Sequence, residues 1–329
     1  KLANHIINEK IEFERNPLYW NDKETVINSA TFLAIENPST DVARYRAGDL
    51  DMTSYALPPE QFAKLQKELP GEVFTTRTLA TYSYELNNKK APFDNVNVRK
   101  ALNLSLDRNV ITDKVLGQGQ TPTYVFTPTY IEEGQLIQQP AYSKEPMAQR
   151  NEEAIKLLEE AGYSKANPLK FSILYNTNEN HKKVAIAAAS MWKANTKGLI
   201  DVKLENQEWK TYIDSRRAGR YDAARAGWNA DYNQATTFGN YFLSNSSNNT
   251  AKYANPEYDK AIAESYVATD AEGRAKAYAK AEEILAKDFG IVPIFNYVNP
   301  RLVKPYVKGY SGKDPQDHIY LRNLYIIKH

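Results

Sequence analysis

Apolar and polar positions alternate with a period of two in KIEFER (10–15) and along TVINSATFLAI (25–35), which predicts two strands near the start of the chain. DVARYRAGDLDM (41–52) predicts a short helix leading into Gly48 and a third strand. PPEQFAKLQKEL (58–69) predicts a helix that starts on proline and stops before Pro70-Gly71. A strand of alternating tyrosines and small residues, TLATYSYELNN (78–88), ends in a polar loop. VNVRKALNLSLDRNVITDKVLG (96–117) carries apolar residues at helical spacing and closes on Gly117 and Gly119. Pro122, Pro128, Pro140 and Pro146 then mark a turn-rich stretch.

A cleaner pattern begins at residue 147. Helix MAQRNEEAIKLLEEAG (147–162) precedes strand LKFSILYN (169–176), helix NHKKVAIAAASMWKAN (180–195) and strand IDVKLEN (200–206). Helix EWKTYIDSRRAG (208–219) and strand YDAARAGW (221–228) follow. Strands alternating with helices predict an α/β fold with a parallel or mixed sheet. Ligands on such sheets sit beyond the carboxyl ends of the strands. Asp231 and Asn176 each lie just past such an end. After a Ser/Asn loop come helices at 256–269 and 270–287, the strand GIVPIFNYV (290–298) and an extended, Tyr-rich close.

With 329 residues the chain is long enough for two domains, each with its own core. Its 42 basic and 40 acidic residues are dispersed, so no basic stripe for nucleic acid is present. No apolar run approaches the roughly 18 residues of a membrane-spanning helix. There is no cysteine, which removes disulfides, thiolate metal sites and cysteine nucleophiles. The 23 tyrosines against 11 phenylalanines suit a wet binding cleft, although half-exposed packing accounts for most of them. The chain begins at Lys1 with neither Met nor a signal peptide, so it is expected to be a processed or truncated form.

Catalytic motifs do not emerge. The four histidines, His5, His181, His318 and His329, show no metal-ligand spacing. No GxSxG elbow, P-loop or GxGxxG after a strand occurs, and GQGQTP (117–122) lacks the Lys-Ser/Thr ending of a phosphate cradle. One local arrangement does ask for chemistry. Arg225 lies inside the apolar run of its strand, and Asp231 follows six positions later. They either neutralise each other or wait for a ligand carrying both charges. Even parity puts them on one face if the strand runs straight, about 20 Å apart fully extended. An extended tripeptide spans roughly 10 Å between its charged ends.

Several stretches together resemble one family: ERNPLYW (14–20), RYRAGDLDM (44–52), VRKALNLSLDRNVI (98–111), NQEWKTY (206–212), GWNADYN (227–233) and the run from Asn299 to His329. They are similar to the periplasmic oligopeptide-binding proteins, the solute receptors of peptide ABC importers. Within that family the pattern looks most like the receptors for the murein tripeptide L-Ala-γ-D-Glu-meso-diaminopimelate. The resemblance covers the whole chain but only about the last two thirds of a family member. It implies the α/β fold of periplasmic binding proteins (type II, cluster C), with mixed sheets, flanking helices and two lobes, the first incomplete here. Residues 1–83 and 299–329 would be parts of the first lobe, and 84–298 the third-domain lobe.

What the resemblance implies for function is a non-enzymatic, cofactor-free, periplasmic monomer. It would capture a short peptide, most specifically the murein tripeptide, and pass it to an inner-membrane ABC permease. The other reading within the family is a broad-specificity oligopeptide receptor, and a metal-independent hydrolase is the remote one. Asp231 would pair with the ligand's ammonium and Arg225 with a carboxylate, with Asn229 and Tyr232 beside them. His181 would contact a longer ligand's C-terminus, unless it is a solvent-facing residue at a helix start. Arg216 and Arg217 would favour a ligand rich in carboxylates, unless they are solvated charges at a helix end. Trp209 and Trp228 would wall side-chain pockets, unless they are core packing.

Overall fold

The computed structural model describes residues 1–328; His329, the last residue of the predicted return segment, lies outside them. The chain divides into two compact units. One comprises Lys1–Thr78, Gly117–Gly119 and Val298–His329; the other comprises Leu79–Leu116 and Gln120–Tyr297.

In the first unit, β1 (Leu2–Ile6), β2 (Lys10–Glu14) and β3 (Ser29–Leu33) form an antiparallel sheet in sequence order. The alternation in the sequence marks β2 and β3. β1 is exposed along its whole length, so no burial period announces it. α1 (Pro38–Ala47) starts where the Asn37 side chain accepts from the backbone N–H groups of Ser39 and Thr40. It stops at Gly48, whose φ of 89° ends the helix in the left-handed region. Val42 and Tyr45 of α1 pack with Phe62 and Leu65 of α2 (Pro59–Glu68), over Leu57 and Leu302. The strand expected after Gly48 is reduced to one bridge, Met52 to Val303.

β4 (Val73–Leu86) carries the chain into the second unit, and α3 (Val96–Leu104) follows. The sequence predicts one helix from 96 to 117, and the structure divides it. Ser105 Oγ donates back to the Ala101 carbonyl (2.6 Å), satisfying an acceptor at the end of α3. Asp107 then accepts from the Asn109 N–H (3.0 Å) ahead of a separate π-helical turn at Val110–Leu116. Between the two, the fully buried Arg108 donates to the carbonyls of Thr123 (2.9 Å) and Pro293 (2.7 Å). Long-range satisfaction of those carbonyls outweighs local helical spacing here.

Next come β5 (Thr121–Pro122), α4 (Met147–Glu160), β6 (Leu169–Asn176), α5 (Glu179–Asn195), β7 (Ile200–Gln207), α6 (Trp209–Arg217) and β8 (Ala223–Asn229). A short α7 (Thr236–Gly239), α8 (Pro256–Val267), α9 (Ala271–Lys287) and β9 (Ile291–Leu302) follow, the last residues of β9 belonging to the first unit. The six-stranded sheet has the order β5-β9-β4-β8-β6-β7. β6 is parallel to β7 and β8, whereas β8 is antiparallel to β4, so the sheet is mixed. Leu169, Phe171 and Ile173 of β6 bury against Val184, Ala188 and Trp192 of α5, and the Trp192 indole donates to the Leu102 carbonyl (2.9 Å). The chain then returns to the first unit, where β10 (Val307–Lys308) pairs antiparallel with β11 (Tyr325–Ile326). Gly309, just past β10, permits the close approach of the returning chain at Asn323. Its φ is +86°, and a Cβ there would lie 1.8 Å from the Asn323 carbonyl oxygen. No helix among the described residues is long and apolar enough to cross a membrane.

Candidate ligand-binding site

β8 lies between β4 and β6, with Arg225 opposite Tyr84, Gly227 opposite Tyr82 and Trp228 opposite Thr81. Because successive side chains point to opposite faces, Arg225 and Gly227 share a face with Tyr82 and Tyr84. Trp228 shares the other face with Glu85.

On the first face, Arg225 lies over the Tyr82 ring, 5.2 Å from its centroid. Its Nη2 donates to the Tyr297 hydroxyl (2.5 Å), and its Nη1 reaches Asn176 Oδ1 at 3.4 Å. Its Nε is buried without a hydrogen-bond partner. No carboxylate of the described residues forms an ion pair with this guanidinium. Gly227 makes the arrangement possible, since a Cβ there would lie 3.0 Å from both Arg225 Nη2 and the Tyr297 hydroxyl. Holding a half-buried cation without an anion carries a cost.

His181 joins the same face. It sits in the first turn of α5, where Asn178 accepts from its backbone N–H (3.0 Å), and its ring packs 5.6 Å from Tyr82. It is half-buried and turned onto the sheet, not a freely solvated helix start. Burial, reinforced by the Arg225 charge, holds its pKa well below the ordinary histidine value, so the imidazole is neutral near pH 7.

Asp231 lies elsewhere. β8 ends at Asn229, and the chain turns after the Ala230 N–H donates to the Leu79 carbonyl (2.8 Å). The straight-strand parity that put Asp231 beside Arg225 ends there. Thr237 Oγ1 instead receives the Trp228 indole N–H (3.2 Å) and the Asp231 backbone N–H (3.2 Å), and approaches Asp231 Oδ2 at 3.4 Å. Asp231 is thus exposed beside Trp228, with one long side-chain contact and no ion pair to Arg225 among the described residues. The internal-neutralisation reading does not hold, and both charges remain open to other partners.

The remaining candidates separate. Arg216 is buried and paired with Glu85 (2.9 Å), which lies on β4, with further bonds to the Tyr241 hydroxyl (3.2 Å) and Thr250 Oγ1 (3.1 Å). The expectation that Arg216 meets ligand carboxylates gives way, because its charge is already neutralised inside the unit. Arg217, the next residue, is exposed at the end of α6. Trp209 opens α6 at 55% exposure and stacks on Tyr212 (5.8 Å). Trp228 is half-buried, edge-on to Tyr241 at 4.9 Å. Asn229 is exposed at the strand end, and Tyr232 is exposed on the loop beyond Asp231. Sequence reasoning did not single out Tyr297, Gly227, Thr237 or Glu85. Only Glu85 carried a signal, as a carboxylate inside an apolar strand, which must have a partner when buried.

The second unit is thus a mixed sheet flanked by helices, with Arg225 on one face and Asp231 past a strand end, neither in an ion pair among the described residues. The chain belongs to the bacterial extracellular solute-binding proteins, family 5, whose middle-region model matches residues 1–250. It is 97% identical over 329 residues to the periplasmic oligopeptide-binding protein OppA of Haemophilus influenzae, covering 100% of this chain and 61% of that protein. It is 43% identical over 328 residues to the periplasmic murein peptide-binding protein MppA of Escherichia coli, covering 100% of this chain and 60% of that one. The crystal structure of Haemophilus influenzae OppA in complex with RPPGFSPFR matches with a TM-score of 0.95 and 96% identity, over 100% of this chain and 64% of that chain. The chain therefore spans less than two thirds of the length of these relatives.

Proposed function

We propose that this chain forms part of a periplasmic receptor that captures short peptides of varied sequence and hands them to an inner-membrane ABC permease. The observation that carries the reading is Arg225, a half-buried guanidinium with no carboxylate partner among the described residues and a buried, unsatisfied Nε. A peptide supplies the anion, and its ammonium finds Asp231, which is exposed and in no ion pair among the described residues. Planar guanidinium and carboxylate match in shape as well as charge.

Breadth of specificity replaces the expected preference for the murein tripeptide. That preference rested on three arginines around one strand, and Arg216 is neutralised by Glu85. Arg217 is exposed at the end of α6, which leaves Arg225 on the sheet face and Asp231 past the strand end, one cation and one anion suited to the two ends that every peptide has. A receptor for arbitrary side chains gains nothing from further fixed charge. The relative at 97% identity is named for oligopeptides and the one named for a murein peptide stands at 43%. The nonapeptide RPPGFSPFR, held by a protein 96% identical to this chain, contains two arginines and no acidic residue.

Calorimetry on the full-length protein with trialanine, trilysine and L-Ala-γ-D-Glu-meso-diaminopimelate tests this. Affinities within about tenfold of one another are expected. A murein tripeptide bound more than about a hundredfold tighter than the others would restore the specialised receptor.

A further inference from the structure

The Asp231 side chain has a single long contact, to Thr237 Oγ1 (3.4 Å), and the loop that carries it is fastened at both ends. Ala230 bonds to Leu79 at one end, and at the other the Ala235 N–H donates to the Glu132 carbonyl (3.0 Å). Between them, Asn233 Oδ1 accepts from the Glu132 N–H (3.2 Å), and the Gln234 amide donates to Glu133 Oε2. Residues 132 and 133 are therefore the anvil against which the Asp231 loop is shaped.

Glu133 is unusual in two independent ways. Its backbone φ is +65°, in the left-handed region that non-glycine residues rarely adopt. Its side chain is only 8% exposed, yet charged, and it is gripped by Arg274 of α9, whose Nε (2.9 Å) and Nη2 (2.7 Å) both donate to Oε1. One helical turn further along α9, the Tyr278 hydroxyl accepts from Gln234 (3.0 Å) and bonds to Thr236 Oγ1 (2.8 Å). A strained residue persists only where its surroundings over-determine it, and here each surrounding bond ends on the loop bearing Asp231 or on α9.

We propose that the Glu133–Arg274 pair is a positioning device for peptide recognition: it transmits the rigidity of α9 to the 230–236 loop and so fixes Asp231 where the ligand ammonium arrives. The proposal rests on the reading of Asp231 given above. Neither residue touches the ligand. Their contribution is pre-organisation, which appears in the recognition of the amine and not in peptide binding at large.

The test compares trialanine with N-acetyl-trialanine, which lacks the ammonium, on the full-length protein. The ratio of their dissociation constants measures amine recognition. Asp231→Asn is expected to bring that ratio close to one; a ratio left at the wild-type value removes Asp231 from the site, and the proposal with it. Given that collapse, the double variant Glu133→Gln/Arg274→Met, which leaves no lone buried charge, is expected to lower the ratio about three- to tenfold. Its affinity for the acetylated peptide should stay at the wild-type value. Gln234→Leu, which changes no charge, should act in the same direction, and keeps the test open if the double variant does not fold. Arg274→Lys should recover part of the ratio. Wild-type ratios in the double variant and in Gln234→Leu, or equal weakening of both peptides, would overturn the positioning role and leave Asp231's own role intact.

Discussion

Replacing Arg225 with methionine separates a ligand-binding charge from a structural one. Holding a fully buried ion out of water costs several kcal/mol in a real protein, and the half-buried Arg225 bears part of that cost. Against this, the bond to the Tyr297 hydroxyl contributes about 1.5–3 kcal/mol, as hydrogen bonds to charged groups do. The face of Tyr82, 5.2 Å from the guanidinium carbon, adds up to about 2 kcal/mol. Asn176 at 3.4 Å is too distant to add much. The two sides nearly cancel, so the ligand-free protein should lose or gain no more than about 2 kcal/mol on substitution. Breaking a true buried ion pair costs about 3–5 kcal/mol. Peptide binding should behave differently. Loss of a charged hydrogen bond of about 1.5–3 kcal/mol weakens trialanine binding roughly ten- to hundredfold. Urea denaturation of the ligand-free, full-length protein gives the first quantity and calorimetry with trialanine the second. A variant destabilised by more than about 3 kcal/mol with peptide affinity intact would mean that Tyr82, Asn176 and Tyr297 hold Arg225 for the fold alone.

Two further outcomes follow from the same sheet. Glu85→Ala leaves Arg216 buried without its carboxylate and should lower stability by about 3–5 kcal/mol in urea denaturation; a loss below about 1 kcal/mol would show that the pair contributes only as a surface bridge does. His181 has a depressed pKa in the fold, so below the unfolded value near 6.5 the unfolded chain binds more protons and stability falls with falling pH. Between pH 6.5 and the lower folded pKa that slope is at most about 1.4 kcal/mol per pH unit, and His181→Gln should remove its share of it; a variant whose stability between pH 7 and pH 5 follows the wild type would refute the buried neutral imidazole.

The helices at 147–160 and 179–195 and the strands at 169–176 and 200–207 were legible in the chain, because each buries a face whose period is local. The α/β class followed from their alternation. The candidate site was legible in part: Arg225 stood out as a cation in an apolar strand, and Asp231 as a carboxylate past its end. Three matters were settled elsewhere. The helix predicted over 96–117 divides because Arg108 satisfies carbonyls at Thr123 and Pro293, one of them 185 positions away. Asp231 departs from the face of Arg225 because β8 ends at Asn229, where pairing with β4 stops. Arg216 and Arg225 look alike in sequence, nine positions apart near one strand. One meets Glu85 of β4, and the other meets a tyrosine hydroxyl and, among the described residues, no anion. Periodicity is written into neighbouring residues, so the sequence alone determined those four elements. Whether a buried charge is neutralised depends on which distant strand lies beside it and which face it presents, and only the assembled sheet decides that.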